Sequence, residues 1–89
     1  MLRKKIEIIN RLGLHARAAA KFVSTASGFA SNIQVERNGQ RVNGKSIMGV
    51  MMLAASQGTV IELLIEGDDA EQAWAALEAL ITDRFGEGE

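Results

Sequence analysis

The chain of 89 residues has no cysteine and a single histidine. Without cysteine there is no disulfide, no thiolate nucleophile and no thiolate metal ligand. One histidine is too few to anchor a zinc-type site, so neither a metal nor a cofactor is expected. No apolar run approaches the roughly 20 residues that span a bilayer. The opening, Met1 to Glu7, is basic but lacks the long apolar core of a secretory signal. No repeat, linker or low-complexity stretch interrupts the chain. These absences leave the expectation of a soluble, cytoplasmic protein with no membrane insertion.

What is present fits one domain. An apolar fraction of 47% is ordinary for a globular chain and supplies a core without staples. The expected domain is residues 1–85, with 86–89 a flexible, frayed tail. Charge is uneven. Residues 1–45 carry nine Lys/Arg and two acids, whereas residues 46–89 carry one Arg and nine acids. Such asymmetry steers an anion or an acidic partner toward the basic side, provided the halves stay apart in space.

Periodicity places the elements. Lys4 to Ile9 alternates, with Ile6 and Ile8 on one face, as a half-buried strand does. Ala16 to Ala26 repeats small apolar residues at helical spacing and stops near Ser27-Gly28. Ile33 and Val35 begin a second strand. Asn38-Gly39 is the preferred two-residue hairpin turn, because both positions accept positive φ. That turn pairs Arg37 with Gln40 and Val35 with Val42. Ser46 is a natural N-cap for a short helix, Ile47 to Ala54. This helix is apolar on nearly every side, so part of Ile47, Met48 and Met51 should stay exposed while Val50 and Leu53 enter the core. Gly49 inside it points to a close approach, from within the fold or from a partner. Thr59 to Glu66 is a strand with Ile61, Leu63 and Ile65 on one face. Asp68 and Glu71 fit a capping box for a last amphipathic helix containing Ala73, Trp74, Leu77 and Ile81. The order β-α-β-β-α-β-α predicts an α+β open-faced sandwich, a four-stranded antiparallel sheet covered on one face by helices.

The histidine sits at the first strand-to-helix junction, in Leu12-Gly13-Leu14-His15-Ala16-Arg17. There the imidazole lies at or beside a helix N-terminus, where free backbone N–H groups gather and the dipole favours negative charge. Arg17 adds a permanent positive charge. A lone histidine is more often a surface or core residue than a reactive one. Gly13 and Arg17 argue for an exposed, tightly turned loop instead. A nucleophilic nitrogen beside an anion site suits a phosphoryl group.

Gly13-Leu14-His15-Ala16-Arg17 resembles the active-site signature of the HPr family, the histidine-containing phosphocarriers of the bacterial phosphoenolpyruvate-dependent sugar phosphotransferase system. Gly44-Lys45-Ser46-Ile47-Met48-Gly49-Val50-Met51 resembles that family's regulatory serine segment, and Ala55 to Thr59 and Glu66 to Asp69 resemble its turns. The likeness runs without gaps from residue 1 to about 85. It implies that His15 accepts a phosphoryl group on Nδ1 from phospho-enzyme I and passes it to the A domain of an enzyme II. It further implies Arg17 near the phosphoryl oxygens, with the backbone N–H groups of Ala16 and Arg17 as phosphate donors. Ser46 is implied as the target of HPr kinase/phosphorylase, and Ala20, Ile47, Met48 and Met51 as a docking surface. The chain would then be a monomeric phosphoryl-transfer intermediate and not a stand-alone enzyme. Many members carry proline where this chain has Ala18, and a polar residue where it has Leu12.

Three other readings compete. A nitrogen-branch regulatory phosphocarrier shares the same motifs. A regulator acting only through phospho-Ser46 would lack the histidine. A small nucleic-acid-binding α+β domain would fit a basic half, but it needs aromatic platforms on the sheet, and the expected strands carry none.

Overall fold

The computed structural model describes residues 1–89. Its most local feature is the hairpin between strands β2 (Asn32–Arg37) and β3 (Gln40–Asn43). Asn38 and Gly39 take φ of 51° and 80°, the left-handed pair of a type I′ turn. The ladder pairs Arg37 with Gln40 and Val35 with Val42, as the turn dictates. Strands β1 (Leu2–Glu7) and β4 (Val60–Glu66) complete one antiparallel sheet in the order β1-β4-β2-β3.

Period-2 alternation then sorts the side chains. Ile33, Val35, Ile61, Leu63 and Ile65 are buried on one face. Helices α1 (Ala16–Ala26), α2 (Ile47–Met52) and α3 (Ala70–Thr82) cover that face, so the expected α+β open-faced sandwich is the fold observed. Ala18, Ala19 and Ala26 are fully buried, and their small side chains let α1 lie close over the core around Phe22. Burying a large apolar side chain such as Phe22 or Leu63 contributes about 1.5–3 kcal/mol each. Leu64 is an exception to the alternation. It lies on the open face yet is only 2% exposed, and its partners in register are Arg3 and Gln34. Trp74 packs on the core as expected, and the Lys4 ammonium sits 5.9 Å from its ring centroid. No helix is long and apolar enough to cross a membrane.

Several local expectations change. Helix α2 stops at Met52, two residues early, because Ala54 turns left-handed at φ 51°. Gly28 does not adopt the left-handed stop; α1 ends through Ser27, whose N–H donates back to Val23. The close approach implied by Gly49 is intramolecular: a Cβ there would lie 3.3 Å from Val42 Cβ and 3.4 Å from the Asn43 carbonyl oxygen.

The Asp68–Glu71 capping box is not formed. Asp69 occupies the N-cap position of α3, but its carboxylate caps nothing in its own helix. It accepts instead from Ala30 N (2.8 Å), Ser31 N (3.0 Å) and the Ser31 hydroxyl, clamping the loop before β2. The Ser31 hydroxyl bond, then the Ala30 N–H, hold this carboxyl below its ordinary value despite some desolvation. A carboxylate favoured in its ionised form contributes stability above its ordinary value, 3.8 for Asp69, and loses that contribution as acid protonates it. Thermal melts recorded over decreasing pH should therefore show a falling Tm below that value. Asp69→Asn should be less stable at neutral pH and show a shallower acid decline; an unchanged decline would remove Asp69 from this role.

The largest difference concerns the C-terminus. Residues 86–89, expected as a loose tail, make defined contacts. A 3-10 turn, Arg84–Gly86, buries Phe85 completely, and Lys21 Nζ donates to the Phe85 carbonyl at 2.6 Å. The last residues then fold back over the loop that bears His15.

Candidate functional site

His15 is the N-cap of α1, with φ −72° and ψ 179°, and its carbonyl accepts the Ala19 N–H at 2.8 Å. Ala16 and Arg17 therefore open the helix with N–H groups that have no intrahelical acceptor. Gly13 makes the junction possible. Its φ is +66°, and a Cβ there would collide with the Ala55 carbonyl and lie 2.8 Å from Ser56 Cα. Next to it the Leu14 N–H donates to that same Ala55 carbonyl at 2.9 Å, and the Leu14 side chain is buried. The loop is thus pinned on both sides of the imidazole.

The imidazole is partly buried, and its Nε2 meets the Glu87 carboxylate. The other Glu87 oxygen accepts from Asn10 Nδ2 at 3.0 Å, and the same Nδ2 donates to the Gly13 carbonyl at 2.8 Å. Asn10 is fully buried, and both of its bonds need the amide nitrogen, so its orientation is set by its partners. Burial works against ionisation of Glu87. The bonds from Asn10 and His15, the positive charge that His15 carries only in its protonated form, and the charge of Lys21 outweigh it and hold the carboxyl below its ordinary value. An ionised carboxylate only accepts hydrogen bonds. The proton of a neutral His15 ring therefore lies on Nε2, and Nδ1 keeps its lone pair.

Arg17 is exposed, with no hydrogen bond or ion pair to its guanidinium. It shares an open depression with Arg11, Leu12, His15, Ala16 and Glu87. The five donors of its guanidinium are free to meet an anion there. The charge asymmetry of the sequence does not survive folding at this point. Glu87 and Glu89, from the acidic half, lie against His15 and Arg11, from the basic half, with Arg11 Nε 3.4 Å from a Glu89 oxygen. No group of three or more His, Asp or Glu side chains is arranged to hold a metal ion.

Ser46 caps α2, its hydroxyl oxygen accepting the Gly49 N–H at 3.1 Å. Behind it Val50 and Leu53 are buried, while Ile47, Met48 and Met51 are exposed, as the crowded apolar pattern requires. Met52 is exposed as well and was not singled out from the sequence, and Leu12, at the position where many members have a polar residue, is also exposed. Ala20 is exposed on α1, which packs beside α2. Asn10 and Glu87 are the site residues that sequence reasoning missed. Nothing in the spacing of the chain relates position 87 to position 15.

The family model for the phosphorylation site of the HPr component of the phosphotransferase system matches residues 2–83. Phosphocarrier protein HPr of Neisseria meningitidis serogroup B is 62% identical over 89 residues, covering all of both chains. Its namesake in Cupriavidus necator is 54% identical over the same full lengths. Among solved structures, HPr-C-His from Thermoanaerobacter tengcongensis superposes with a TM-score of 0.94 at 56% identity, covering 98% of each chain. A histidine at a helix N-cap with a free Nδ1, an unpaired arginine two residues on, and this agreement in sequence and fold lead to one conclusion. The chain belongs to the HPr family of phosphocarriers of the phosphotransferase system.

Proposed function

We propose that His15 is the phosphoryl acceptor of this phosphocarrier and that the group is carried on Nδ1. The observation that carries the reading is the engagement of Nε2 by Glu87, which leaves Nδ1 as the nitrogen with a lone pair. The group is received from the phosphohistidine of enzyme I and delivered to the A domain of an enzyme II. The Nδ1 lone pair forms the new bond to phosphorus while the donor P–N bond breaks, its electron pair returning to the donor nitrogen. Positive charge from Arg17 and the N–H groups of Ala16 and Arg17 meet the phosphoryl oxygens, at the end of α1 that favours an anion. The protein supplies little else. Most of the acceleration comes from the alignment of two imidazoles within a protein–protein complex.

The exposed Ile47, Met48 and Met51, with Ala20, form the surface that docks the partners; flexible methionine suits a surface that serves more than one. Ser46 is the regulatory site for HPr kinase/phosphorylase. A phosphate on its hydroxyl lies at the start of α2, where the dipole tolerates it, and adds charge beside an apolar docking surface, where it is repelled or poorly solvated. Ser46→Asp should slow phosphorylation of His15 by enzyme I about tenfold or more while leaving the fold intact. Equal initial rates for the two proteins would argue against regulation at this position.

The chain's role as a relay is tested by a chase. Protein labelled by enzyme I and phosphoenolpyruvate is separated and mixed with an enzyme II A domain, and the label is followed. The label should leave the wild-type protein and arrive on the A domain. His15→Ala should take up none. Label that enters the chain and is never passed on would contradict the carrier reading.

A further inference from the structure

We propose that Glu87 is the positioning residue of His15: it fixes the ring proton on Nε2, so directs the phosphoryl group to Nδ1, and holds that proton while the group is carried. The proposal rests on His15 being the acceptor and adds a residue from the far end of the chain.

The placement of Glu87 is built, not incidental. A chain end normally frays. Here Phe85 is fully buried, Lys21 donates to its carbonyl, and Asn10 and His15 both donate to Glu87. Arg84 and Phe85 adopt left-handed φ of 54° and 55°, unfavourable for residues other than glycine. Such backbone persists only where surrounding contacts over-determine it. Asn10 ties the two halves of the site, holding the Glu87 carboxylate with the same nitrogen that holds the Gly13 carbonyl.

The chemistry gives that carboxylate a task. The form of the ring that can accept the group is the neutral one, with a proton on Nε2 and a lone pair on Nδ1. When the Nδ1 pair bonds to phosphorus, both nitrogens are substituted and the ring acquires a positive charge it did not have. Glu87, ionised beside Nε2–H, meets this charge as it develops, as a carboxylate does behind the imidazolium of a Ser-His-Asp site. Retention of the proton also keeps the ring a good leaving group. On delivery the P–N bond breaks, its pair returns to Nδ1, and the neutral ring is left in the tautomer with which it began. The other charges around Glu87 are Lys21 on α1, Arg17 at the start of α1, and the Arg11–Glu89 pair on the loop and tail. None of them contacts Nε2.

The test uses the whole chain and four variants. In wild type, ring 15N NMR should find a neutral His15 protonated at Nε2; in Glu87→Ala the two tautomers should mix. After phosphorylation by enzyme I, hydrolysis is followed against pH. The loss of lability at high pH should begin about one pH unit lower in Glu87→Gln than in wild type, because the paired charge is gone. Glu89→Gln, which removes the Arg11–Glu89 ion pair of the same tail without touching His15, should behave as wild type in both measurements. Unchanged tautomer and unchanged profile in the Glu87 variants would overturn the proposal, as would an equal shift in Glu89→Gln, which would mark a merely structural effect. Phosphate acceptance by His15→Ala would instead overturn the acceptor reading itself, so the two failures are distinguishable.

Discussion

Gly13→Ala should lower the stability of the protein by about 3 kcal/mol and abolish most phosphoryl acceptance at His15. Two costs combine. Left-handed φ is unfavourable for alanine by about 1–2 kcal/mol. The added Cβ also meets backbone, the Ala55 carbonyl and Ser56 Cα, which cannot swing aside as a side-chain tip would. Relief requires the 55–56 segment to withdraw, which stretches the Leu14 N–H bond to Ala55 and frees the residue before His15. The imidazole then loses its place at the start of α1. For a domain of this size the loss corresponds to a Tm lower by roughly 12–24 °C. Gly39→Ala provides the comparison. Its φ is +80° but nothing lies within 4 Å of the added carbon, so only the conformational cost of about 1–2 kcal/mol applies, and phosphoryl acceptance is kept. A Gly13→Ala protein as stable and as active as Gly39→Ala would show that the close approach at Gly13 does not govern the site.

Arg17→Ala should do the reverse: stability within about 0.5 kcal/mol of wild type, and a phosphoryl-transfer rate lower by about 100-fold. The guanidinium is exposed and bonded to nothing in the protein, so its removal leaves no buried partner unsatisfied. Its value lies in a charge already in position when the phosphoryl group arrives, at the rim of the depression that holds His15. Arg17→Lys should recover part of the rate, because the charge remains while the planar fork of donors is lost. Single-turnover transfer from phosphorylated enzyme I measures this directly. An Arg17→Ala protein with the wild-type rate would leave the helix N-terminus as the only phosphate-binding element.

Legibility in the sequence tracks the range of the interactions involved. The hairpin at Asn38-Gly39 was readable in full, including its register, because turn chemistry and hydrophobic alternation act over neighbouring residues and agree. The span of α1, the N-cap at Ser46 and the exposure of Ile47, Met48 and Met51 were readable for the same reason. Asp69 shows the limit. An acidic residue before a helix signals a cap, and here it serves a loop almost 40 positions away. Glu87 shows it more sharply. The short polar end Gly86-Glu87-Gly88-Glu89 carries the composition of a frayed tail, and only the burial of Phe85 and the bonds from Asn10 and His15 hold it in place. His15 and Arg17 were legible as candidates from their place at a strand-to-helix junction. The carboxylate that sets the ring's proton was not, because a contact across 72 positions leaves no periodic trace.

The most direct test of the central claim is the intact mass of the protein after incubation with phosphoenolpyruvate and enzyme I, recorded before and after mild acid. A phosphoryl group on a ring nitrogen is labile to acid and survives base, unlike a serine ester. One phosphoryl group should be gained, lost in acid and kept in base. No gain, or a gain that resists acid, would contradict the claim.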